Sequence, residues 1–178
     1  MKLGHLGLPN KKVHWMGTSG MHWNQLLSTL QLKMMFNPPP ALILIHLGGN
    51  DLVNIKQAKF MKLIRRDLSY VASVFPHAYI VWSDILPRKH WRGMVSTPQN
   101  LIKMNEKRKR INRAGHQVVR NFDLGRYIIH EIETVTLGLF QEDGTHLTQI
   151  GNAILLTALQ EAIRLFFQNP SQIMYNAN

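Results

Sequence analysis

The sequence predicts an α/β fold: three layers, helix on sheet on helix, with a mostly parallel sheet. Two observations predict it. Apolar runs of strand length alternate along the chain with segments whose apolar residues recur at helical spacing. The most apolar run, Ala41 to Leu47, is almost uninterrupted, as a strand covered on both faces must be. The chain has 178 residues, 45% of them hydrophobic, which is the length of one domain and enough apolar material for a core.

The elements follow in order. Lys12 to Met16 reads as a short first strand ending at Gly17. Trp23, Leu26, Leu27, Leu30 and Met34 then mark one face of a helix, which Pro38-Pro39-Pro40 stops. Ala41 to Leu47 is the second strand, ended by Gly48-Gly49. Phe60, Ile64, Leu68, Val71 and Phe75 mark a second helix, closed by Pro76. A third strand begins at Tyr79 and runs to about Leu86, and a third helix spans about 99–120. A fourth strand covers Tyr127 to Ile132. Thr148 is a candidate N-cap for the last helix, whose face carries Gly151, Leu155, Leu159, Ala162 and Phe166. The polar end is expected to fray. The expected organisation is thus an N-terminal remnant at 1–11, one domain at 12–168 and a polar tail at 169–178.

Composition narrows the function. There is no cysteine, which excludes disulfides, thiolate metal sites and a cysteine nucleophile. No apolar run approaches the ~18 residues of a membrane span, and residues 1–7 hold no apolar core of signal-peptide length. A cytoplasmic or nuclear location is the default expectation. Nine histidines show no metal-ligand spacing, so neither a metal nor another cofactor is expected. The net charge is +11. Six cations, from Lys103 to Arg113, lie within eleven positions of the third helix with Glu106 as the sole acid. They read first as a solvated outer face, and second as a nonspecific contact for nucleic acid or anionic lipid.

In parallel sheets, ligands bind beyond the carboxyl ends of the strands. Three clusters fall there: Gly17-Thr-Ser-Gly20, Gly48-Gly-Asn-Asp51, and Asp143-Gly-Thr-His146 ahead of the last helix. Together they suit acyl transfer. His146 can act as general base with Asp143 orienting it. The Gly20 N–H and the Asn50 amide can donate to an oxyanion.

In this order the clusters resemble the SGNH hydrolases, the GDSL-type esterases and lipases. Gly20 corresponds to the second signature block, Asn50 in Gly48-Gly-Asn-Asp51 to the third, and Asp143-Gly-Thr-His146 to the last. The resemblance runs from about Val13 to Phe167. A narrower likeness, to SGNH-like domains of fish and amphibian genomes, some of them in retroelement reading frames, is carried by His46 to Leu52 and by Leu86 to Gly93. The family implies a flavodoxin-like sheet, no cofactor, and hydrolysis of carboxylic esters through a Ser-His-Asp triad. Acyl esters or acetylated small molecules are the implied ligands.

One block has no counterpart. The family's first block, with the nucleophilic serine at the end of the first strand, is absent, and 1–11 contains no serine. The resemblance implies that this strand and the helix after it are missing, so that the chain is an incomplete or inactive esterase. Ser19, beside Gly20, is the candidate substitute nucleophile. The alternative is a basic, nucleic-acid-associated binding module of retroelement origin, without catalysis. Loss of a central strand also predicts that its neighbours expose unpaired backbone or pair with each other.

Overall fold

A computed structural model of the chain describes residues 6–8 and 11–177. Most of the expected remnant at 1–11, His5 included, lies outside the described residues. A 3-10 turn at Trp23–Gln25 leads into helix α1, Leu26–Met34. Then come β1 (Leu42–Ile45), α2 (Gln57–Val74), β2 (Tyr79–Ser83), α3 (Pro98–Val119), β3 (Gly125–His130), α4 (Gln149–Gln168) and β4 (Met174–Ala177). The four strands form one all-parallel sheet in the order β1-β2-β3-β4.

Alternation along each strand divides the apolar residues between two helix layers. Ile43 and Ile45 of β1, Ile80 and Trp82 of β2, and Tyr127 of β3 pack with α1, α2 and α3. Leu42, Leu44, Val81 and Ile128 face Leu159, Ala162 and Phe166 of α4. This is the three-layer arrangement expected from the sequence. Thr148 caps α4, its hydroxyl accepting the Gly151 N–H, and Thr97 caps α3 in the same way through Asn100. By length and composition alone α4 could cross a membrane, with mean hydropathy 1.3 over its apolar window. Here Ala158, Leu159, Ala162, Ile163 and Phe166 are buried within the fold.

Two expectations fail. The first is the strand at 12–16. These residues adopt no regular structure, and Lys12, His14 and Trp15 are exposed. A strand exists only with a ladder partner, and β1 hydrogen-bonds along one edge alone, to β2. Its other edge meets no strand among the described residues.

The second is the frayed tail. Residues 174–177 pair with β3 in register, Tyr127 opposite Met174. The reason is Arg126, which is only 3% exposed. Its guanidinium donates to the carbonyls of Asp123, Gly125 and Pro170. The Tyr127 N–H donates to the Ile173 carbonyl at 3.0 Å. A buried guanidinium is costly unless its donors are satisfied; Nη1 and Nη2 find carbonyls while Nε has no partner among the described residues, and the bond to Pro170 holds the segment at 170–173 against the strand.

Gly115, inside α3, is imposed by packing. A Cβ there would lie 2.4 Å from the Trp82 indole ring. Trp82 is completely buried, so the ring has nowhere to retreat. Gly115→Ala, normally favourable in a helix, is expected to lower stability by about 1–3 kcal/mol through overpacking. Thermal unfolding of the variant checks this, and an unchanged or raised Tm contradicts it.

Candidate active site

The site lies at the carboxyl ends of β1, β2 and β3. After β1 the chain turns through Gly48, where φ is +109°. A Cβ at Gly48 would lie 2.9 Å from the Phe60 ring and 3.1 Å from Ile85, so both its conformation and its space require glycine. The Asp51 N–H closes the turn onto the Gly48 carbonyl.

Asp51 then points inward. Its carboxylate accepts the Trp23 backbone N–H at 3.0 Å and contacts His22 Nδ1 at 3.1 Å. The neighbouring Asn50 donates from Nδ2 to the Met21 carbonyl at 3.0 Å. The turn after β1 thereby holds the loop at 20–23 through Met21, the residue after Gly20, and Trp23. One hydrogen of the Asn50 amide remains unspent, and the Gly20 N–H has no acceptor among the described residues. Gly20 has φ +72° and is exposed.

Asp143 and His146 meet as the sequence anticipated. Asp143 Oδ2 lies 2.5 Å from His146 Nδ1. Oδ1 accepts the backbone N–H groups of Thr145 and His146, both at 2.9 Å. The His146 ring hydrogen bond, then these two backbone bonds, hold the Asp143 carboxyl well below the usual carboxylate range. An ionised Asp143 fixes the proton on Nδ1 and leaves the Nε2 lone pair as the basic site. Both side chains are exposed, His146 by 66%.

The turn carrying them is tied to the loop after β2. The Gly144 carbonyl accepts from Lys89 N and His90 N, and Thr145 Oγ1 donates to the His90 carbonyl. That loop supplies Arg88, which the sequence reading did not single out as a site residue. Its guanidinium contacts Asn50 Oδ1 through both terminal nitrogens at 3.3 Å and lies 5.1 Å over the Trp91 ring. Burial lowers its pKa, and the Asp143 charge opposes that shift. Arg88 therefore links the two halves of the site. It holds the Asn50 oxygen, so the amide nitrogen faces Met21, and it feels the Asp143 carboxylate.

No serine reaches His146, whose Nε2 has no partner among the described residues. Ser19 sits exposed beside Gly20 and is not hydrogen-bonded to His146. Trp82 and Trp91, which could have lined a pocket, are core residues at 0% and 1% exposure. Of the basic run, Lys107 donates to the carbonyls of Leu52 and Ile55, and Arg108 to that of Ile85. These two brace the loops around the site.

A cluster of three further side chains spans the same strand ends. Ser83 Oγ lies 2.9 Å from His46 Nδ1 and 2.7 Å from His130 Nε2. Ser83 is fully buried. His46 keeps an exposed surface, although protein atoms crowd its ring. Burial pulls His46 down to about 4, with Asp84 opposing and Arg88 assisting. Burial and then the His46 charge pull His130 down to about 3.

No protein-family model matches the chain, and no curated protein does. Eleven solved chains match it in structure. One is a protein of Streptococcus pneumonia described provisionally as a platelet activating factor, with a TM-score of 0.68 and 19% sequence identity. The match covers 93% of this chain and 77% of that one. It establishes the fold: an α/β domain with a parallel sheet between helices.

The lowered histidines set a stability profile. Because the folded pKa lies below the unfolded value near 6.5, the unfolded chain binds protons first as pH falls. The stability that neutral His46 and His130 contribute is complete above about pH 6.5. It is lost progressively as pH falls towards the folded values of about 4 and about 3. The Tm is expected to fall from neutral pH towards pH ~5, and to fall less in His130→Gln. Parallel profiles for the two proteins would contradict this.

Proposed function

We propose that the chain is an ester-hydrolase domain of the SGNH type that holds the acid–base and oxyanion-binding parts of the site without a serine nucleophile. His146 is the general base, Asp143 holds its tautomer, and Gly20 and Asn50 are the oxyanion donors. The observation that carries the reading is the Asp143–His146 pair, with Nδ1 bound and Nε2 open. Its place ahead of α4, tied through Gly144 and Thr145 to the loop after β2, supports it, as does the fold of the structural neighbour.

The chemistry follows from the parts. In a complete triad His146 Nε2 would take the serine proton as the hydroxyl attacks the ester carbonyl, and return it to the leaving alcohol. Gly20 and Asn50 would donate to the oxygen that gains charge. Arg88 fixes the Asn50 oxygen and so the direction of that donor. Without a hydroxyl at Nε2, only water can be activated there. The ligands that suit such a site are acyl esters and acetylated small molecules.

A fluorophosphonate probe tests this, read by intact mass alongside hydrolysis of an activated acetate ester. The expected result is no adduct, and ester turnover no faster than that of His146→Ala. A stoichiometric adduct on Ser19, lost in His146→Ala, would show an active site rebuilt around that serine and would overturn the reading.

A further inference from the structure

Six of the 21 Lys and Arg side chains share one face, with little acid among them. Helices α2 and α3 pack side by side on the same side of the sheet. Lys59, Lys62 and Arg65 lie on the outer side of α2, and Lys103, Lys109 and Arg113 on that of α3, at spacings that share a helical face. All six are exposed, and none is in an ion pair among the described residues. Little acid opposes them. The one acid of α2, Asp67, is buried and spent on the Trp23 indole N–H and on Arg66. The one acid of α3, Glu106, is exposed and pairs with Arg110 at 3.4 Å.

A second observation points to the same kind of ligand. Where the two helices meet, a cleft of about 160 Å³ is lined by Arg65, Ser69, Gln117, Val118, Asn121 and Phe122. It contains a guanidinium, a hydroxyl and two amides, and no carboxylate. None of these four polar side chains has a hydrogen-bond partner among the described residues. Such a set of unspent donors with one cation and no carboxylate suits a phosphate.

We infer that the shared outer face of α2 and α3 binds the phosphate backbone of nucleic acid, with one phosphate seated in the cleft at Arg65. The binding is electrostatic and independent of sequence: the six cations suit backbone phosphates, and the amides of Gln117 and Asn121 are confined to the one cleft. The face fits phosphates better than a bilayer. Between Lys59 and Ser69, and between Lys103 and Gln117, every exposed side chain is polar; Ile102, Tyr70 and Val74 are exposed only beyond these stretches, whereas a membrane-lying helix needs a continuous apolar face. The inference does not depend on the esterase reading, since none of these residues belongs to that site.

The test uses the full chain and a fluorescein-labelled DNA duplex of about 20 base pairs, titrated by anisotropy between ~50 and ~200 mM KCl. Binding is expected in the micromolar range at low salt, with log K falling against log salt at a slope of about −5 for six neutralised phosphates. Arg65→Glu with Arg113→Glu is expected to weaken binding at least tenfold and to flatten the slope by about 2. Lys12→Glu with Arg164→Glu changes the net charge equally, at exposed positions off the face, and is expected to cost only a few-fold. Circular dichroism and Tm show that both variants fold. Equal losses in the two variants would show an effect of net charge alone and overturn the assignment of the face. Absence of duplex binding by the parent chain at low salt would overturn it too, as would binding to phosphatidylserine vesicles without binding to the duplex.

Discussion

The buried carboxylate of Asp51 is the interaction on which the site depends. It is 3% exposed and accepts the Trp23 N–H while contacting His22. Trp23 is held a second time through its indole N–H by Asp67, and its ring packs on Phe60 and Trp82. A buried carboxylate is tolerated only when bonded, so the turn after β1 and the start of the first helix are obliged to meet. Residues 11–18 join no strand, so this contact and the Asn50–Met21 bond fix Gly20 relative to Asn50.

The sheet imposes a second constraint. Four parallel strands end on one side, and the loops that leave them must bond to one another. Gly144 receives two N–H groups from the loop after β2. Arg88 of that loop reaches back to the turn after β1. The Asp143–His146 pair is thereby coupled to Asn50 through backbone and guanidinium rather than through direct contact. On the far side, β1 shows Leu42 to Ile45 with no charge and, among the described residues, no strand on its outer edge. An apolar edge of that kind is a ready template for pairing with another strand.

What the sequence disclosed was local. The apolar run at β1, the Thr148 cap, the helical faces and the short-range pair Asp143–His146 are all set by neighbours a few positions apart. The failures were matters of long-range pairing. The apolar residues of 12–16 suited a strand, but no edge received them. Met174 to Ala177 is too short a run, inside an otherwise polar end, to announce a strand, yet buried Arg126 brings it into the sheet. Arg88 meets Asn50 across 38 positions, and Ser83 meets His46 and His130 across 37 and 47. Nothing within one segment announces such contacts. The signal that could have found them was position alone: polar residues at the carboxyl ends of adjacent parallel strands.

The central claim is that Asp143 presents His146 as a base with Nε2 open. Long-range 1H–15N correlation spectra of the labelled chain above neutral pH test it most directly, with His146→Gln to assign the ring. The account predicts a single neutral tautomer protonated on Nδ1, lost to a mixture in Asp143→Asn. A ring protonated on Nε2 in the parent chain would contradict it.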